Sequence, residues 1–139
     1  SEMCIRDSSC GLFKTKSKDI VEMCRQLHTQ YGDTVPDTVE ELTRLAGVGR
    51  KTANLIAGEL YGKPAFVCDT HVIRLTNRIG LAEGKDAVKV EKMLREFVKP
   101  EEGLGLCHRL VWHGRLVCGA RKPLCESCRL KDVCEKHSV

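Results

Sequence analysis

Four cysteines near the carboxyl end constrain this chain more than any other feature. They follow the spacing C-x6-C-x2-C-x5-C and fall within 17 residues, at Cys118, Cys125, Cys128 and Cys134. Thiolates at this density can close around one metal centre, and the spacing alone fits both structural zinc and an iron-sulfur cluster. The chain holds nine cysteines, an odd number, with four in the last 22 positions, which disfavours a disulfide scaffold. We therefore predict a metal centre in the tail.

The net charge of +4 also belongs to this tail. Residues 107–139 hold seven basic and three acidic side chains, whereas residues 1–106 hold 16 of each. A positive surface attracts phosphate backbones, although the same cations can solvate a small domain or ease the burial of an anionic cluster. We expect both roles among the five cations that surround the cysteines, which are Arg115, Arg121, Lys122, Arg129 and Lys131.

Most of the remaining sequence predicts α-helices. With 4% aromatic and 30% charged residues, the interior of a 139-residue domain must consist mainly of Leu, Val, Ile and Ala, which is typical of packed helices. Apolar residues recur at helical spacing, and no segment alternates as a half-buried strand would. No apolar run is long enough to cross a bilayer, and the first residues do not resemble a secretion signal. The sequence predicts one all-α domain, soluble and cytoplasmic.

Several local signals set the expected helix bounds. Ser17 is expected to cap the first helix, and Asp37 with Glu40 forms a capping-box pattern before the second. Cys24 and Cys68 are expected to be small core residues. The predicted helices cover about 17–30, 37–47, 50–61, 69–78, 86–98 and a last stretch through Leu106, Leu110, His113 and Val117. In that last helix, His113 is expected to pack rather than to act as a fifth metal ligand.

A glycine turn lies between the second and third predicted helices. The run from Leu45 to Gly49 is typical of a helix-hairpin-helix, whose glycines let backbone N–H groups at a helix N-terminus face an anion such as phosphate. A nucleotide P-loop is the competing interpretation. It is excluded because Arg50 separates Gly49 from Lys51, because the upstream glycine is missing and because no buried strand precedes the turn.

Lys51 and Asp69 are the candidate catalytic pair. Lys51 lies in the first turn of a predicted helix, where the helix dipole and Arg50 favour the neutral, nucleophilic amine. Asp69 lies at another predicted helix start, where a carboxylate could stabilise positive charge on a substrate or move protons. The residues alone favour the ordinary roles, a phosphate contact for Lys51 and an N-cap for Asp69.

Taken together, these motifs resemble the endonuclease III family, the iron-sulfur DNA glycosylases and abasic-site lyases of base-excision repair. The resemblance spans residues 11–134 and rests on the order of its motifs. They are Gly11-Leu12-Phe13, Leu45 to Ala53 with Gly47-Val48-Gly49-Arg50-Lys51, Val67-Cys68-Asp69-Thr70-His71-Val72, His113-Gly114-Arg115 and the four-cysteine run.

The resemblance implies a fold, a reaction and a cofactor. The fold would be the all-α helix-hairpin-helix DNA glycosylase fold, a partial six-helix barrel with a C-terminal 4Fe-4S cluster loop. Lys51 would be the nucleophile that displaces a damaged base and forms a Schiff base, and Asp69 the essential carboxylate. Gly47, Val48, Gly49 and Arg50 would bind a DNA phosphate, and Cys118, Cys125, Cys128 and Cys134 would hold the 4Fe-4S cluster.

The family also implies a substrate and a domain layout. The substrate would be duplex DNA with oxidised pyrimidines or abasic sites, bound by a monomer that in a prokaryote would associate with the nucleoid. Residues 11–106 would form the helical barrel region and 107–139 the last helix and cluster loop. Residues 1–10 lie outside the matching region. Because family members carry a substantial segment before Gly11, we expect an N-terminally truncated chain.

Three other functions remain to be separated from this one. Adenine-specific mismatch glycosylases, which are monofunctional, lack the lysine and read Asp-Gly-Asn where this chain has Asp69-Thr70-His71, so Lys51 favours the bifunctional lyase. A non-catalytic helix-hairpin-helix module would bind DNA without nicking it. A redox or zinc protein unrelated to DNA would show no salt-dependent duplex binding.

Overall fold

The computed structural model describes residues 12–135, so the expectations for residues 1–10 and Gly11 lie outside the described part of the chain. Within it, the architecture is all-α, as predicted, and no strand forms there beyond an isolated bridge between Cys118 and Pro123. The helices are α1 (Phe13–Tyr31), α2 (Val39–Leu42), α3 (Arg50–Tyr61), α4 (Thr70–Ile79), α5 (Ala87–Phe97) and α6 (Gly103–Leu116). Short 3₁₀ turns follow at Pro100–Glu102, Cys125–Ser127 and Lys131–Val133.

None of the helices formed by residues 12–135 has the length and apolar character that a bilayer crossing requires. The chain divides into two compact units, the first ending at Ala57 and the second beginning at Gly58. This division by packing is separate from the three sequence segments expected above, which stay a prediction.

The first unit has a small apolar core around α2, the turn after it and α3. Its buried residues are Leu42, Leu45, Val48, Ala53 and Ala57. The first helix contributes only partly buried side chains to this core, namely Met23, Leu27 and Tyr31.

Two expectations about α1 are wrong. Cys24 is exposed, and Ile20 and Val21 are each 49% exposed, because the residues that pack are one helical turn apart at 23, 27 and 31. The helix also begins before Ser17, at Phe13, so Ser17 is an interior residue whose hydroxyl donates to the Phe13 carbonyl oxygen at 2.8 Å.

The N-cap of α2 lies one residue further along than predicted. Thr38, not Asp37, is the N-cap: its Oγ1 accepts from the Glu41 N–H at 3.3 Å and donates to Glu41 Oε2 at 2.9 Å. The sequence contains two overlapping capping patterns, and Thr38 has the extended backbone that an N-cap needs. The helix is only four residues long and ends at Leu42, well before Gly47.

The second unit contains a larger core, to which the segment before α4 and helices α4, α5 and α6 contribute. Its buried residues include Cys68, as predicted, and the fully buried Phe66, Val72, Leu75, Val90, Leu94 and Cys107. The predicted cap Asp69 is confirmed, and Asp86, predicted as the approximate start of a helix, is a cap as well. Asp69 caps α4, and Asp86 caps α5 by accepting the Lys89 N–H at 2.8 Å.

Candidate functional site

The glycine turn of the first unit is held by its own backbone and by α1. Gly47 has a φ of +73°, and a Cβ at this position would lie 2.8 Å from the Cβ of Asp19. Glycine therefore satisfies both the left-handed backbone and the close approach of α1. The Ala46 N–H donates to Gln26 Oε1 at 2.8 Å, and the Val48 N–H donates to the Leu45 carbonyl oxygen at 3.1 Å.

The turn presents one side to the core and the other outward. Val48 packs its side chain into the core of the first unit, whereas a Cβ on Gly49 would meet no heavy atom of the described residues within 4 Å other than those of its chain neighbours. Arg50 and Lys51 are exposed in the first turn of α3. A helix N-terminus flanked by two cations and an unobstructed glycine can accept an anion such as a phosphate group.

Asp69 is fixed by the helix that it caps. Its Oδ1 accepts the backbone N–H groups of His71 and Val72, both at 2.9 Å, and its side chain is half-buried. The backbone of Asp69 is extended (φ −88°, ψ −178°), as at other N-caps. Two N–H donors leave the carboxylate little freedom to rotate. Lys51 belongs to the first unit and Asp69 to the second.

Helix α4 also carries two arginines that reach the start of the cysteine loop. Arg74 Nη2 donates to the carbonyl oxygens of Gly114 and Cys118, each at 3.0 Å. Arg78, 8% exposed, donates to the Cys118 Sγ at 3.1 Å and to the carbonyl oxygens of Gly119 and Ala120 at 2.9 and 3.0 Å. The helix that begins at Asp69 therefore fixes the end of α6 and the first cysteine.

The four cysteines predicted as ligands line one pocket in the second unit, together with Leu75, Arg78, His113 and Leu130. Three of the four thiols, those of Cys118, Cys128 and Cys134, have polar contacts. The Cys134 Sγ donates to the Arg78 carbonyl oxygen at 3.1 Å, and the Cys128 Sγ lies 3.4 Å from His113 Nε2 and accepts the Leu130 N–H at 3.4 Å. Within residues 12–135, no three His, Cys, Asp or Glu side chains are arranged as ligands of a single metal ion.

The cations of the tail are exposed, as a DNA-facing or solvating role requires. This holds for Arg115, Arg121, Lys122, Arg129 and Lys131. Lys131 Nζ pairs with Glu126 Oε2 at 2.6 Å, and the Arg115 guanidinium lies 5.8 Å from the centre of the exposed Trp112 ring. Arg121, Lys122 and Arg129 add further positive charge to the tail.

Arg74 and Arg78 were not predicted from the sequence, although they have the most extensive polar contacts near the cysteines. A signal for them was present, since two arginines four residues apart share one face of a helix. Neither spacing nor periodicity indicates which distant carbonyl groups such a pair contacts, and these carbonyls lie about 40 residues further along the chain.

Comparison with known proteins agrees with this geometry. The family model described as HhH-GPD superfamily base excision DNA repair protein matches residues 2–100. Endonuclease III of Haemophilus influenzae is 46% identical over 125 residues, which cover 90% of this chain and 59% of that protein. A solved non-covalent Endonuclease III–DNA complex is similar at a TM-score of 0.87 and 38% identity, over 91% of this chain and 60% of that one.

A second solved structure, a trapped covalent Endonuclease III–DNA intermediate, is similar at a TM-score of 0.88 and 38% identity, over 93% of this chain and 61% of that one. The chain thus spans about 60% of the length of the relatives that it matches. More than half of this chain lies within the family match, and that match includes the glycine turn, Lys51 and Asp69. The chain belongs to the HhH-GPD superfamily of base excision DNA repair proteins.

Proposed function

We propose that this chain is the part of a DNA glycosylase and abasic-site lyase that carries the catalytic residues, acting on oxidised pyrimidines in duplex DNA. The observation that carries the proposal is the position of Lys51, an exposed amine in the first helical turn after a glycine hairpin suited to phosphate. A covalent intermediate trapped between a similar protein and DNA supports a nucleophile on the enzyme. Such an enzyme works where the DNA is, in the cytoplasm and, in a prokaryote, at the nucleoid.

Lys51 would carry out the covalent chemistry. Its neutral Nζ attacks C1′ of the damaged nucleotide, the bond to the base breaks, and the base leaves with the bonding electron pair and a proton. Loss of a further proton from the nitrogen and opening of the sugar give a Schiff base between Nζ and C1′. This imine acidifies the C2′ hydrogen, so that removal of that proton expels the 3′ phosphate and nicks the strand.

Asp69 would be the carboxylate of this reaction. The N–H groups of His71 and Val72 orient it through Oδ1 at the start of α4. A fixed negative charge stabilises the positive charge that develops on the sugar as the base departs, and a carboxylate can also relay the protons of the amine.

The hairpin would hold the DNA strand. In this proposal Gly47, Val48, Gly49 and Arg50 face a backbone phosphate, with the Val48 amide already donating to Leu45 and the Gly49 side open. The damaged nucleotide must leave the duplex to reach an amine, so bending and flipping of the DNA belong to the mechanism. Exposed cations of the tail add salt-dependent affinity that does not depend on sequence.

Cys118, Cys125, Cys128 and Cys134 would hold a 4Fe-4S cluster. Four thiols on one pocket fit such a group, because a cluster of four irons holds its thiolates further apart than a single ion does. N–H donors to the sulfurs of Cys118 and Cys128 suit thiolate ligands. When bound, the cluster supplies iron–thiolate bonds that cross-link the tail, while Arg78 and His113 position two of the cysteines.

Borohydride trapping on duplex DNA with an abasic site tests the proposal. We expect a covalent adduct with the wild-type chain and none with Lys51→Ala or Lys51→Arg. The arginine variant keeps the charge that a phosphate contact needs but cannot form the imine. Lys92→Ala, which removes an exposed lysine from α5, is the matched control and should trap as wild type does.

The alternatives predict other results. Salt-sensitive DNA binding without any adduct would contradict the lyase and favour a non-catalytic helix-hairpin-helix module. Base release without an adduct or a nick would favour a monofunctional glycosylase. A chain that binds no duplex at low salt would contradict every DNA function considered for it.

A further inference from the structure

An arginine of α5 contacts the aromatic ring that lies three residues before Asp69. The Arg95 guanidinium carbon lies 4.8 Å from the centre of the Phe66 ring, within the range of a cation–π contact. Phe66 is 1% exposed and belongs to the core of the second unit. The contact joins α5 to the segment before α4, and the proposed function does not use it.

Glu91 determines where this guanidinium lies. The Nε and Nη2 groups of Arg95 both donate to Glu91 Oε1, at 3.2 and 3.0 Å. The Glu91 side chain is 5% exposed and that of Arg95 is 38% exposed. Loss of a charged partner from a buried carboxylate is costly, so the pair keeps Arg95 in one orientation. The cation over the ring is therefore fixed by a residue one turn earlier in the same helix.

Helix α6 confines the same ring. Gly103 is the first residue of α6, and a Cβ there would stand 2.6 Å from Cε2 and Cζ of Phe66 and 2.9 Å from the Ala65 carbonyl oxygen. Only a residue without a side chain leaves room for the ring at this approach. Two helices thus hold Phe66, α5 through a charge and α6 through close packing.

The restraint on Phe66 reaches Asp69 through a short, buried stretch of backbone. Val67 and Cys68, the two residues between them, are each 7% exposed. The Asp69 N–H donates to the Val67 carbonyl oxygen at 3.0 Å, which closes a tight turn just before α4. The backbone that bears the carboxylate is therefore restrained on its N-terminal side for as long as Phe66 stays in place.

We propose that Arg95 is a positioning residue for Asp69, which acts by holding Phe66 and takes no part in the chemistry itself. The inference rests on the proposed role of Asp69 in base release. The N–H groups of His71 and Val72 fix the carboxylate relative to α4, whereas the contact of Arg95 with Phe66 fixes the start of α4 relative to α5.

The expected effect is moderate. Misplacement of a catalytic group by about 1 Å can slow a reaction by about 10²-fold. One cation–π contact supplies only part of the restraint on Phe66, because Gly103 and the core confine the ring as well. We therefore expect its loss to slow base release by about 3–10-fold.

Amide hydrogen exchange on the full chain tests the proposal without reference to activity. The amides of His71 and Val72 donate to Asp69, and the Lys89 amide donates to the cap of α5 in the same unit. In Arg95→Met we expect the first two amides to exchange about 3–10-fold faster than in the wild type. The Lys89 amide should keep its wild-type rate, whereas a general loosening of the second unit would accelerate all three.

Three further variants separate the ring contact from the ion pair. Phe66→Leu removes the aromatic face but leaves Arg95 paired with Glu91, so it should accelerate the same two amides even where Arg95→Met fails to fold. Arg95→Lys keeps a cation for the ring and the carboxylate, and it should restore most of the wild-type protection. Lys92→Met makes the matched change at an exposed lysine of α5 and should leave both amides at their wild-type rates.

Base release from a duplex that holds one thymine glycol, an oxidised pyrimidine, is the second measurement. We expect Arg95→Met and Phe66→Leu to lower kcat by about 3–10-fold with KM unchanged, because they displace the carboxylate and leave the DNA-binding surface intact. Arg95→Lys should restore the rate, and Lys92→Met should match the wild type.

The two measurements fail in different ways. If the wild-type chain releases no base, the proposed function is wrong, while the exchange rates still decide whether Arg95 holds the start of α4. Unchanged exchange of the His71 and Val72 amides in both Arg95→Met and Phe66→Leu would overturn the inference. An equal acceleration at Lys89, or a wild-type kcat in both variants, would contradict it as well.

Discussion

The two compact units hold their functional loops in different ways. In the first unit, the turn before α3 is held by the burial of Val48 in an apolar core and by one side-chain hydrogen bond from α1, between Gln26 and Ala46. In the second unit, the loop after α6 is held by polar groups, because Arg74 and Arg78 of α4 donate to three of its carbonyl oxygens and one sulfur. The turn before α3 is therefore stabilised mainly by the hydrophobic effect and by the backbone freedom of glycine. The loop after α6 is stabilised mainly by two charged arginine side chains.

This difference determines how each loop responds to substitution. In an apolar core with a tight turn, a substitution lowers the free energy of unfolding by removing buried volume or by straining the backbone, and the loss for each residue is moderate. Removing a buried guanidinium costs more, because it leaves several partly buried acceptors unpaired at once. We therefore expect the largest single effect of polar truncation in the second unit.

Arg78→Ala should have the largest effect. The side chain is 8% exposed and donates to the Cys118 sulfur and to the carbonyl oxygens of Gly119 and Ala120. Leaving these acceptors unpaired should lower the free energy of unfolding by about 2–4 kcal/mol. Chemical denaturation checks this, and the iron content of the variant, measured beforehand, should fall because the proposed cluster loses the group that positions Cys118.

Two further variants complete this test: Arg78→Lys separates the charge of the side chain from its geometry, and Arg44→Ala is the control. Arg78→Lys keeps the charge but replaces the planar fork with one ammonium group, so its cost should be intermediate. Arg44→Ala removes an exposed arginine of the first unit and should change the free energy of unfolding by less than about 0.5 kcal/mol. If Arg78→Ala costs no more than Arg44→Ala, the contrast between the two loops is wrong.

Gly47→Ala should have the next largest effect and tests the loop of the first unit. Its φ of +73° disfavours any side chain, and the new Cβ would lie 2.8 Å from the Cβ of Asp19. We expect a loss of about 1–3 kcal/mol in the free energy of unfolding, from backbone strain and from this close approach.

Gly32→Ala is the matched control for the turn. Gly32 also has a positive φ, +56°, but no heavy atom of the described chain stands within 4 Å of its Cβ position. It should therefore show only the backbone cost, about 1 kcal/mol. Denaturant titration compares the two glycines. If both substitutions cause equal losses, α1 moves aside without a cost in free energy, and the contact with Asp19 does not constrain the hairpin.

The same contrast explains what the sequence could predict. Periodicity found every long helix, and side-chain chemistry found the cap Asp69, because these signals are local. The errors were local ambiguities too: two overlapping capping patterns precede α2, and Cys24, expected in the core, lies next to the residue that packs there, Met23.

What the sequence could not predict is long-range and polar. Spacing placed Cys118, Cys125, Cys128 and Cys134 together, and they do line one pocket. It did not indicate that Arg78 contacts Cys118 from 40 residues away. Such contacts depend on how α4 and α6 pack, and a polar residue can satisfy its hydrogen bonds in many alternative ways.

The smallest expected effect compares one helix cap from each unit. Asp69 accepts two N–H groups at 2.9 Å and adds a negative charge at the start of the ten-residue α4, whereas Thr38 accepts one N–H at 3.3 Å at the start of the four-residue α2. Asp69→Ala should lower the free energy of unfolding by about 1–2 kcal/mol and Thr38→Ala by about 0.5–1 kcal/mol. Asp69→Asn keeps an acceptor without the charge, so it should fall between Asp69→Ala and wild type. Thermal and denaturant unfolding measured side by side check the order, and a larger loss at Thr38 than at Asp69 would show that the first unit, too, depends on polar contacts.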